Sequence, residues 1–303
     1  MNAPKILVMA ANGNQGRLLV PRLLAAGANV RAFVRTEASA SALRSAGVVD
    51  IVTGDMADRE LLGRAMHGIE KVYHVGPTAH PKEREMGFAA VDAARAASVG
   101  HFVFSSVLHA ITTDLIQHEI KRDIEEHLLS SGLAFTILQP TNYMSPIKLR
   151  PAFELGVFRL SWALDRRQSL VDPADIAEVA AMALMDSERH AGATYELAAP
   201  GRHTAHELGA IISRVLARPI AVEEIDADTY LKAFFGDVGP DQFPHEARVL
   251  RAISARYGAH DFVGNPNVLT WLLGRPPTTF EQFVRRQFDV FRANSTTAAP
   301  ITR

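Results

Sequence analysis

Cysteine is absent from the 303 residues. Its absence excludes disulfides, thiol nucleophiles and thiolate metal sites together. Long apolar runs are also missing: nowhere do about eighteen apolar residues follow one another, so we expect no membrane span. The formal net charge of −1 gives no electrostatic reason to expect nucleic acid or an anionic membrane surface as a partner. No basic-then-apolar leader opens the sequence, and we predict a cytoplasmic protein.

The first 140 residues alternate short apolar segments with helix-like segments. The apolar segments are Ile6–Met9, Val30–Val34, Val48–Val52, Lys71–Val75, Phe102–Ser105 and Phe135–Leu138. They are apolar almost throughout rather than alternating, which is typical of strands covered on both faces. The glycines that follow the helix-like segments predict left-handed helix ends; they are Gly27, Gly47, Gly100 and Gly132. The pattern predicts an α/β fold with a doubly wound parallel sheet.

Beyond Pro140 the alternation weakens, and helix signals dominate. Asp172 with Pro173 begins one helix, and two threonine–glutamate capping boxes, Thr204 with Glu207 and Thr278 with Glu281, begin two more. Asp226–Tyr257 is predicted to be helical with a break at Gly236–Pro240. We predict a main domain over residues 1–150, to which 165–200 returns, and a smaller mixed α/β lobe, mostly helical and interleaved, over 151–303.

The glycine-rich turn Ala10-Ala11-Asn12-Gly13-Asn14-Gln15-Gly16 follows the first strand and opens a helix. Such a turn lets backbone N–H groups and a helix N-terminus approach a pyrophosphate that side chains would block. Gly13 would allow that approach, and Gly16 would allow the helix to pack closely. Ala10 stands where the usual motif has its first glycine. Placed at the first turn of a doubly wound sheet, the motif predicts dinucleotide binding.

Arg35 indicates which dinucleotide. It follows the second strand, where NAD enzymes place an acidic residue on the ribose 2′-hydroxyl, whereas an arginine suits a 2′-phosphate. We therefore predict NADP(H). The alternative is a solvated surface arginine, since Arg31 nearby shows that the chain uses arginine freely.

Taken together, these segments resemble the NmrA-like branch of the atypical short-chain dehydrogenases/reductases, over nearly the whole chain. Besides the modified glycine turn, the similarity rests on Val34-Arg35-Thr36, Thr53-Gly54-Asp55, His101–Ser106, Val171–Ala177 and Leu272–Thr278. The resemblance implies a Rossmann-type NADP-binding sheet with a smaller C-terminal lobe and the active cleft between them. It places the following residues at the cofactor: Ala10, Asn12, Gly13, Asn14, Gln15, Gly16, Arg35, Asp55, Met56, Val75, Gly76, Pro77 and Lys121.

The same resemblance leaves the catalytic group open. Short-chain dehydrogenases commonly use Tyr-x-x-x-Lys; here Lys121 has the spacing of the lysine, but Gln117 replaces the tyrosine and cannot act as an acid or base. Lys121, His118 and Tyr143 are candidate substitutes. In the alternative interpretations, Lys121 only binds the ribose, His118 lies on the surface and Tyr143 only lines the pocket. Ser105 would orient substrate, or satisfy local backbone groups instead.

No metal site is expected, because His203 and His206 lack a third ligand at suitable spacing. The leading hypothesis is an NADPH-dependent reductase that transfers hydride to a small apolar or aromatic conjugated substrate, such as a quinone, enone or benzylic ether. Apolar side chains in the second region are compatible with such a pocket: Phe153, Phe158, Trp162, Phe234 and Phe235. The alternatives are a redox-sensing NADP(H)-binding regulator with a protein partner, or a lyase or isomerase on the same fold. A monomer or homodimer is expected.

Overall fold

The computed structural model describes residues 3–235 and 240–297. The strands are β1 Lys5–Val8, β2 Asn29–Val34, β3 Asp50–Thr53, β4 Lys71–Val75, β5 His101–Ser105, β6 Phe135–Pro140, β7 Asn142–Tyr143, β8 Val157–Leu160, β9 Leu170–Val171, β10 Ala193–Leu197 and β11 Ala221–Glu224. The helices are α1 Gly16–Ala25, α2 Glu37–Ser45, α3 Arg59–Met66, α4 Glu83–Ala96, α5 Ile116–Leu129, α6 Pro146–Leu155, α7 Pro173–Met185, α8 Ser187–His190, α9 Ala205–Leu216, α10 Ala227–Phe235, α11 Pro244–Ala259, α12 Asn267–Leu273 and α13 Phe280–Thr297.

The chain forms two compact units. The first contains the described residues up to Pro140, together with Pro173–Leu197 and Asn267–Arg275; the second contains Thr141–Asp172, Ala198–Pro266 and the described residues from Pro276. The domain boundaries predicted from the sequence stay a prediction.

A seven-stranded sheet forms the first unit, in the order β10-β6-β5-β4-β1-β2-β3, and every pairing in it is parallel. From β1 the chain moves to β2 and β3 on one side, and then to β4, β5 and β6 on the other. The reversal lies between β1 and β4, and ligands bind beyond the carboxyl ends of the strands at such a point. The predicted doubly wound parallel sheet is confirmed.

The core of this unit explains why its strands are apolar on both faces. All five residues of β5 are buried, and α4 and α5 cover the sheet with Ala90, Ala94 and Ile124. Burying each large apolar side chain contributes about 1.5–3 kcal/mol relative to exposure. The carboxyl ends of β4 and β5 are thereby fixed in place.

Two local predictions need correction. Gly27, Gly47 and Gly132 have positive φ, but Gly100 does not; after α4 the left-handed residue is Ser98, with φ 54°. The capping box of α13 lies one residue later than predicted. Thr279 accepts from the N–H of Gln282, whose side chain accepts from the N–H of Thr279. The predicted box of Thr204 with Glu207 at α9 is present.

The second unit contains two short parallel strand pairs, β8 with β11 and β7 with β9, together with α6, α9, α10, α11 and α13. Asp172 is buried there and pairs with Arg286 of α13 at 2.6 Å. The helix break predicted at Gly236–Pro240 lies, apart from Pro240, outside the described residues. Among the helices described, none is both long and apolar enough to cross a membrane.

Candidate active site

The glycine-rich turn between β1 and α1 is tightly folded. Ala10 adopts φ 50°, a left-handed conformation that costs alanine more than glycine, and its carbonyl accepts from the N–H of Gly13 at 2.8 Å. A Cβ on Gly16 would lie 2.5 Å from the carbonyl oxygens of Ala10 and Ala11, so only glycine fits there. The side chain of Gln15 is buried and accepts a hydrogen bond from the Tyr73 hydroxyl. The side-chain oxygen of Gln15 is therefore engaged within the fold.

Beside this turn, the first unit contains a cavity of about 380 Å³. Its volume lies within the range of small-molecule and cofactor sites. Asn12 and Gly13 line it from the turn, and Arg35, Asp55, Met56 and Pro77 line it from the ends of the neighbouring strands. The fold thus brings together residues that sequence reasoning assigned separately to one dinucleotide. That reasoning did not assign seven further lining residues to the cofactor: Phe33, Val34, Thr36, Ser39, Gly54, His80 and Met86.

The end of the cavity at Arg35 suits a phosphate. Arg35 is exposed and directly follows β2, and Thr36 is the N-cap of α2. The hydroxyl of Thr36 accepts from the N–H of Ser39 at 3.2 Å. The guanidinium of Arg35, the hydroxyls of Thr36 and Ser39 and the N-terminus of α2 therefore line the same cavity, and each of these groups favours an anion. The signal that could have identified Thr36 and Ser39 is the Thr-x-x-Ser spacing at a predicted helix start.

Lys121 of α5 forms a buried ion pair with Glu83, the first residue of α4. Its Nζ lies 2.8 Å from Oε1 of Glu83, and the two residues are 3% and 0% exposed. The other oxygen of Glu83 accepts from the N–H of Ala79 at 3.1 Å. Gly76, after β4, passes so closely that a Cβ there would lie 3.0 Å from Glu83 and 3.4 Å from Lys121. A carboxylate at this distance stabilises the charged ammonium.

Besides Glu83, a second acidic residue acts on Lys121: Glu125, which lies one turn beyond it on α5. Nε2 of Gln139 donates to both oxygens of Glu125, at 2.9 and 3.1 Å. Burial raises the pKa of Glu125, while the hydroxyl of Ser106, the amide of Gln139 and the charge of Lys121 oppose the rise. Neither Glu83 nor Glu125 was identified from the sequence, because nothing in the spacing of acidic residues on two helices indicates which of them face inward.

The other catalytic candidates of the first unit are buried. His118 is 0% exposed and its Nδ1 lies 3.0 Å from the carbonyl oxygen of His109, so the interpretation of His118 as a surface residue is wrong. The hydroxyl of Ser105, at the end of β5, makes no hydrogen bond to the described residues, so it does not satisfy local backbone groups there. Gln117 is also buried. Their catalytic roles stay predictions.

Tyr143 belongs to the second unit, where it lines a narrow, mostly apolar cavity with Phe158 and Trp162. Phe153 lies elsewhere and packs against Phe288 and Phe291 of α13. The side chains of Phe234 and Phe235 lie outside the described residues. Of the five apolar side chains predicted to line a pocket, Phe158 and Trp162 line this cavity and Phe153 does not.

His74, near the end of β4, makes the first unit sensitive to acid. Burial, with the charge of Lys121 as a smaller cause, lowers the pKa of His74 to about 3 from 6.5. Below pH 6.5 the unfolded chain binds a proton that the folded chain excludes, so stability falls as the pH falls from 6.5 towards 3. At pH 5 we expect a loss of about 2 kcal/mol from this residue. Urea unfolding of the unaltered protein and of His74→Phe, each at pH 7 and pH 5, measures this loss of stability. An equal pH dependence in the two proteins would contradict the lowered pKa of His74.

Among the described residues, no group of three or more histidine, aspartate or glutamate side chains is arranged to hold a metal ion. The site offers hydrogen bonds, charges and a coenzyme-sized cavity.

Comparison with known proteins finds relatives along the whole chain. The sequence model described as the NmrA-like family matches residues 2–263. A Streptomyces griseus protein, (4-alkanoyl-5-oxo-2,5-dihydrofuran-3-yl)methyl phosphate reductase, is 33% identical and covers 94% of this chain and 99% of its own. An NAD(P)H azoreductase of Xenophilus azovorans is 28% identical, covering 95% and 99%. The crystal structure of an Escherichia coli NADPH-dependent quinone oxidoreductase complexed with NADPH superposes with a TM-score of 0.78 at 25% identity, covering 93% and 99%.

Proposed function

The chain belongs to the NmrA-like family, and from that premise we propose that it is an NADPH-dependent reductase of small conjugated carbonyl compounds, quinones and enones foremost. Its assignment as an oxidoreductase that uses NADP(H) agrees with the names of relatives that match nearly the full length of the chain. One observation carries the choice of substrate: Lys121 and Ser105 are buried at the ends of β4 and β5, and Gln117 stands at the position of the tyrosine acid.

The residues present fit the coenzyme. The closely packed Gly16 and the N-terminus of α1 would hold the pyrophosphate, and Arg35, with Thr36 and Ser39, would hold the 2′-phosphate. Bound NADPH supplies the hydride. Lys121, paired with Glu83, would donate hydrogen bonds to the ribose or to oxygen on the substrate.

The missing tyrosine favours substrates that need little acid assistance. Hydride addition to a quinone or an enone gives an anion stabilised by its own conjugation, whereas a simple ketone gives an alkoxide that needs a strong proton donor. The Streptomyces griseus relative is named for a reaction on an oxo-dihydrofuran, and the Escherichia coli relative for one on a quinone. Benzylic ethers stay a third class for testing.

The proposal is tested by following the loss of NADPH absorbance with quinones, enones, benzylic ethers and aromatic aldehydes. We expect turnover with quinones or enones at a kcat/KM at least ten times that for the aldehydes, a difference of about 1.4 kcal/mol in transition-state stabilisation. The same panel with NADH separates the choice of coenzyme from the choice of acceptor. Tight NADPH binding without turnover of any acceptor would contradict the proposal.

A second candidate, a sensor that binds NADP(H) without chemistry, is favoured by Gln117 in the place of the tyrosine. It predicts a protein partner whose capture changes between NADP and NADPH, together with no consumption of NADPH. The two candidates therefore give opposite results in the same absorbance assay.

A further inference from the structure

The turn that connects β4 to α4 forms part of the wall of the cavity beside the glycine-rich turn. Pro77 and His80 line the cavity from this connection. The N–H of His80 donates to the carbonyl of Pro77 at 2.9 Å, and the N–H of Lys82 donates to Nδ1 of the His80 ring at 3.1 Å. Because Nδ1 accepts, the neutral ring carries its proton on Nε2. Local hydrogen bonds therefore fix both the backbone of the turn and one side chain that lines the cavity.

Ala79, which directly precedes His80, gives this turn a strained backbone. Its φ is 68°, in the left-handed region. An alanine adopts that region only at a cost, because its Cβ comes too close to the following carbonyl oxygen, whereas a glycine adopts it freely. A strained residue of this kind persists only where the surrounding structure holds it in place.

The buried carboxylate of Glu83 holds the turn. Its Oε2 accepts from the N–H of Ala79 at 3.1 Å, and its Oε1 lies 2.8 Å from Nζ of Lys121. Gly76, directly after β4, packs against the same carboxylate, where a Cβ would lie 3.0 Å from Oε1. The two oxygens of one fully buried side chain therefore join the strained turn to the lysine of α5.

We propose that Glu83 is a positioning residue of the coenzyme site. It holds the turn after β4 in its strained conformation, so that Pro77 and His80 form the cavity wall before the coenzyme arrives. Such preorganisation raises affinity because binding then does not have to order the turn. The proposal rests on the cavity being the NADP(H) site of the proposed reductase. Loss of Glu83 weakens NADPH and NADH by the same factor, since Arg35, which would distinguish them, belongs to another segment.

Calorimetric titration of Glu83→Gln with both coenzymes tests the positioning role. A glutamine has one acceptor oxygen in place of two, and the charged Lys121 binds that oxygen more strongly, so the N–H of Ala79 loses its partner. We expect NADPH and NADH each to bind about 5- to 30-fold more weakly, the range that corresponds to the cost of one left-handed alanine. Glu85→Gln, an exposed position in the same turn of α4, is the matched control and should change neither affinity.

A second substitution separates the turn from the ion pair. Glycine adopts a positive φ without the cost that alanine bears, so Glu83→Gln combined with Ala79→Gly should regain both affinities to within about threefold of the unaltered protein. Urea unfolding of this double variant should still show the stability loss of Glu83→Gln, because Lys121 stays unpaired. A merely structural role of Glu83 predicts instead that affinity stays low together with stability.

Ala79→Pro disturbs the turn while Glu83 and Lys121 remain paired. Proline fixes φ at about −65° and has no N–H to donate, so both coenzymes should bind more weakly by a similar factor. Unchanged affinities in Ala79→Pro and in Glu83→Gln would overturn the positioning role, and so would a double variant that binds no better than Glu83→Gln. The proposed function fails by a different result, namely an unaltered protein that binds NADPH tightly and reduces no acceptor.

Discussion

We expect Arg35→Ala to weaken NADPH binding by about 10- to 100-fold and to leave NADH binding within about twofold, because it removes the proposed charge-assisted pair with the 2′-phosphate, which would contribute about 1.5–3 kcal/mol. Arg35 is exposed at the cavity wall, and Thr36 and Ser39 stand beside it at the start of α2. NADH lacks the phosphate and so makes no use of this group. Calorimetric titration with both coenzymes at one fixed ionic strength measures the two affinities.

The matched control is Arg64→Ala, an exposed arginine of α3 paired with Glu60. It changes the net charge by the same amount and should leave both affinities unchanged, since it does not line the cavity. Arg31 is unsuitable as a control, because it bonds Asp50 and the carbonyls of Ala65 and His67 and so stabilises the fold. Equal losses of NADPH and NADH in Arg35→Ala would refute the 2′-phosphate assignment.

Glu83→Gln lowers the free energy of unfolding by about 3–5 kcal/mol, because it leaves the Lys121 ammonium buried without its counter-charge. The double variant Glu83→Gln with Lys121→Met removes both charges and should recover most of that loss. Urea unfolding of the two single variants and the double variant forms a double-mutant cycle. A coupling energy near zero would show that the pair contributes nothing to the fold.

The same two helices provide the control. Arg84 of α4 pairs with Glu119 of α5 at 3.1 Å, with both side chains about half exposed. Glu119→Gln makes the same chemical change in a solvated pair, so we expect a loss below about 1 kcal/mol. The helix pair and the substitution are the same in the two variants, whereas burial differs and Arg84 keeps Asp123 at 2.7 Å as a second partner. Losses of similar size at Glu83 and Glu119 would contradict this explanation.

The cofactor site was accessible to sequence reasoning because its parts lie at fixed places along the chain. A glycine turn after the first strand and an arginine after the second are local signals, and the parallel topology brings the ends of successive strands to one edge. Thr36 and Ser39 were missed only because their capping role at α2 was not considered. His80 and Met86 carry no local signal that could have identified them.

The acid–base residues were not accessible in this way. Lys121 was found from its spacing, but its partner Glu83 belongs to another helix, and acidic residues on α4 and α5 look alike in the sequence until the rotation of each helix is known. His118 was singled out by position and its role stays a prediction, while its burial and its contact with the carbonyl of His109 depend on the loop before α5.

The residues of this chain by themselves determined the order of strands and helices, the parallel doubly wound sheet and the turn that only glycine fits at Gly16, because short-range sterics and two-sided burial leave few alternatives. Tertiary structure alone decided which charges are buried together. Glu83 meets Lys121, while Glu125 meets Gln139 and Ser106, because side chains distant in sequence enter the same region of low dielectric only when helices and strands have packed.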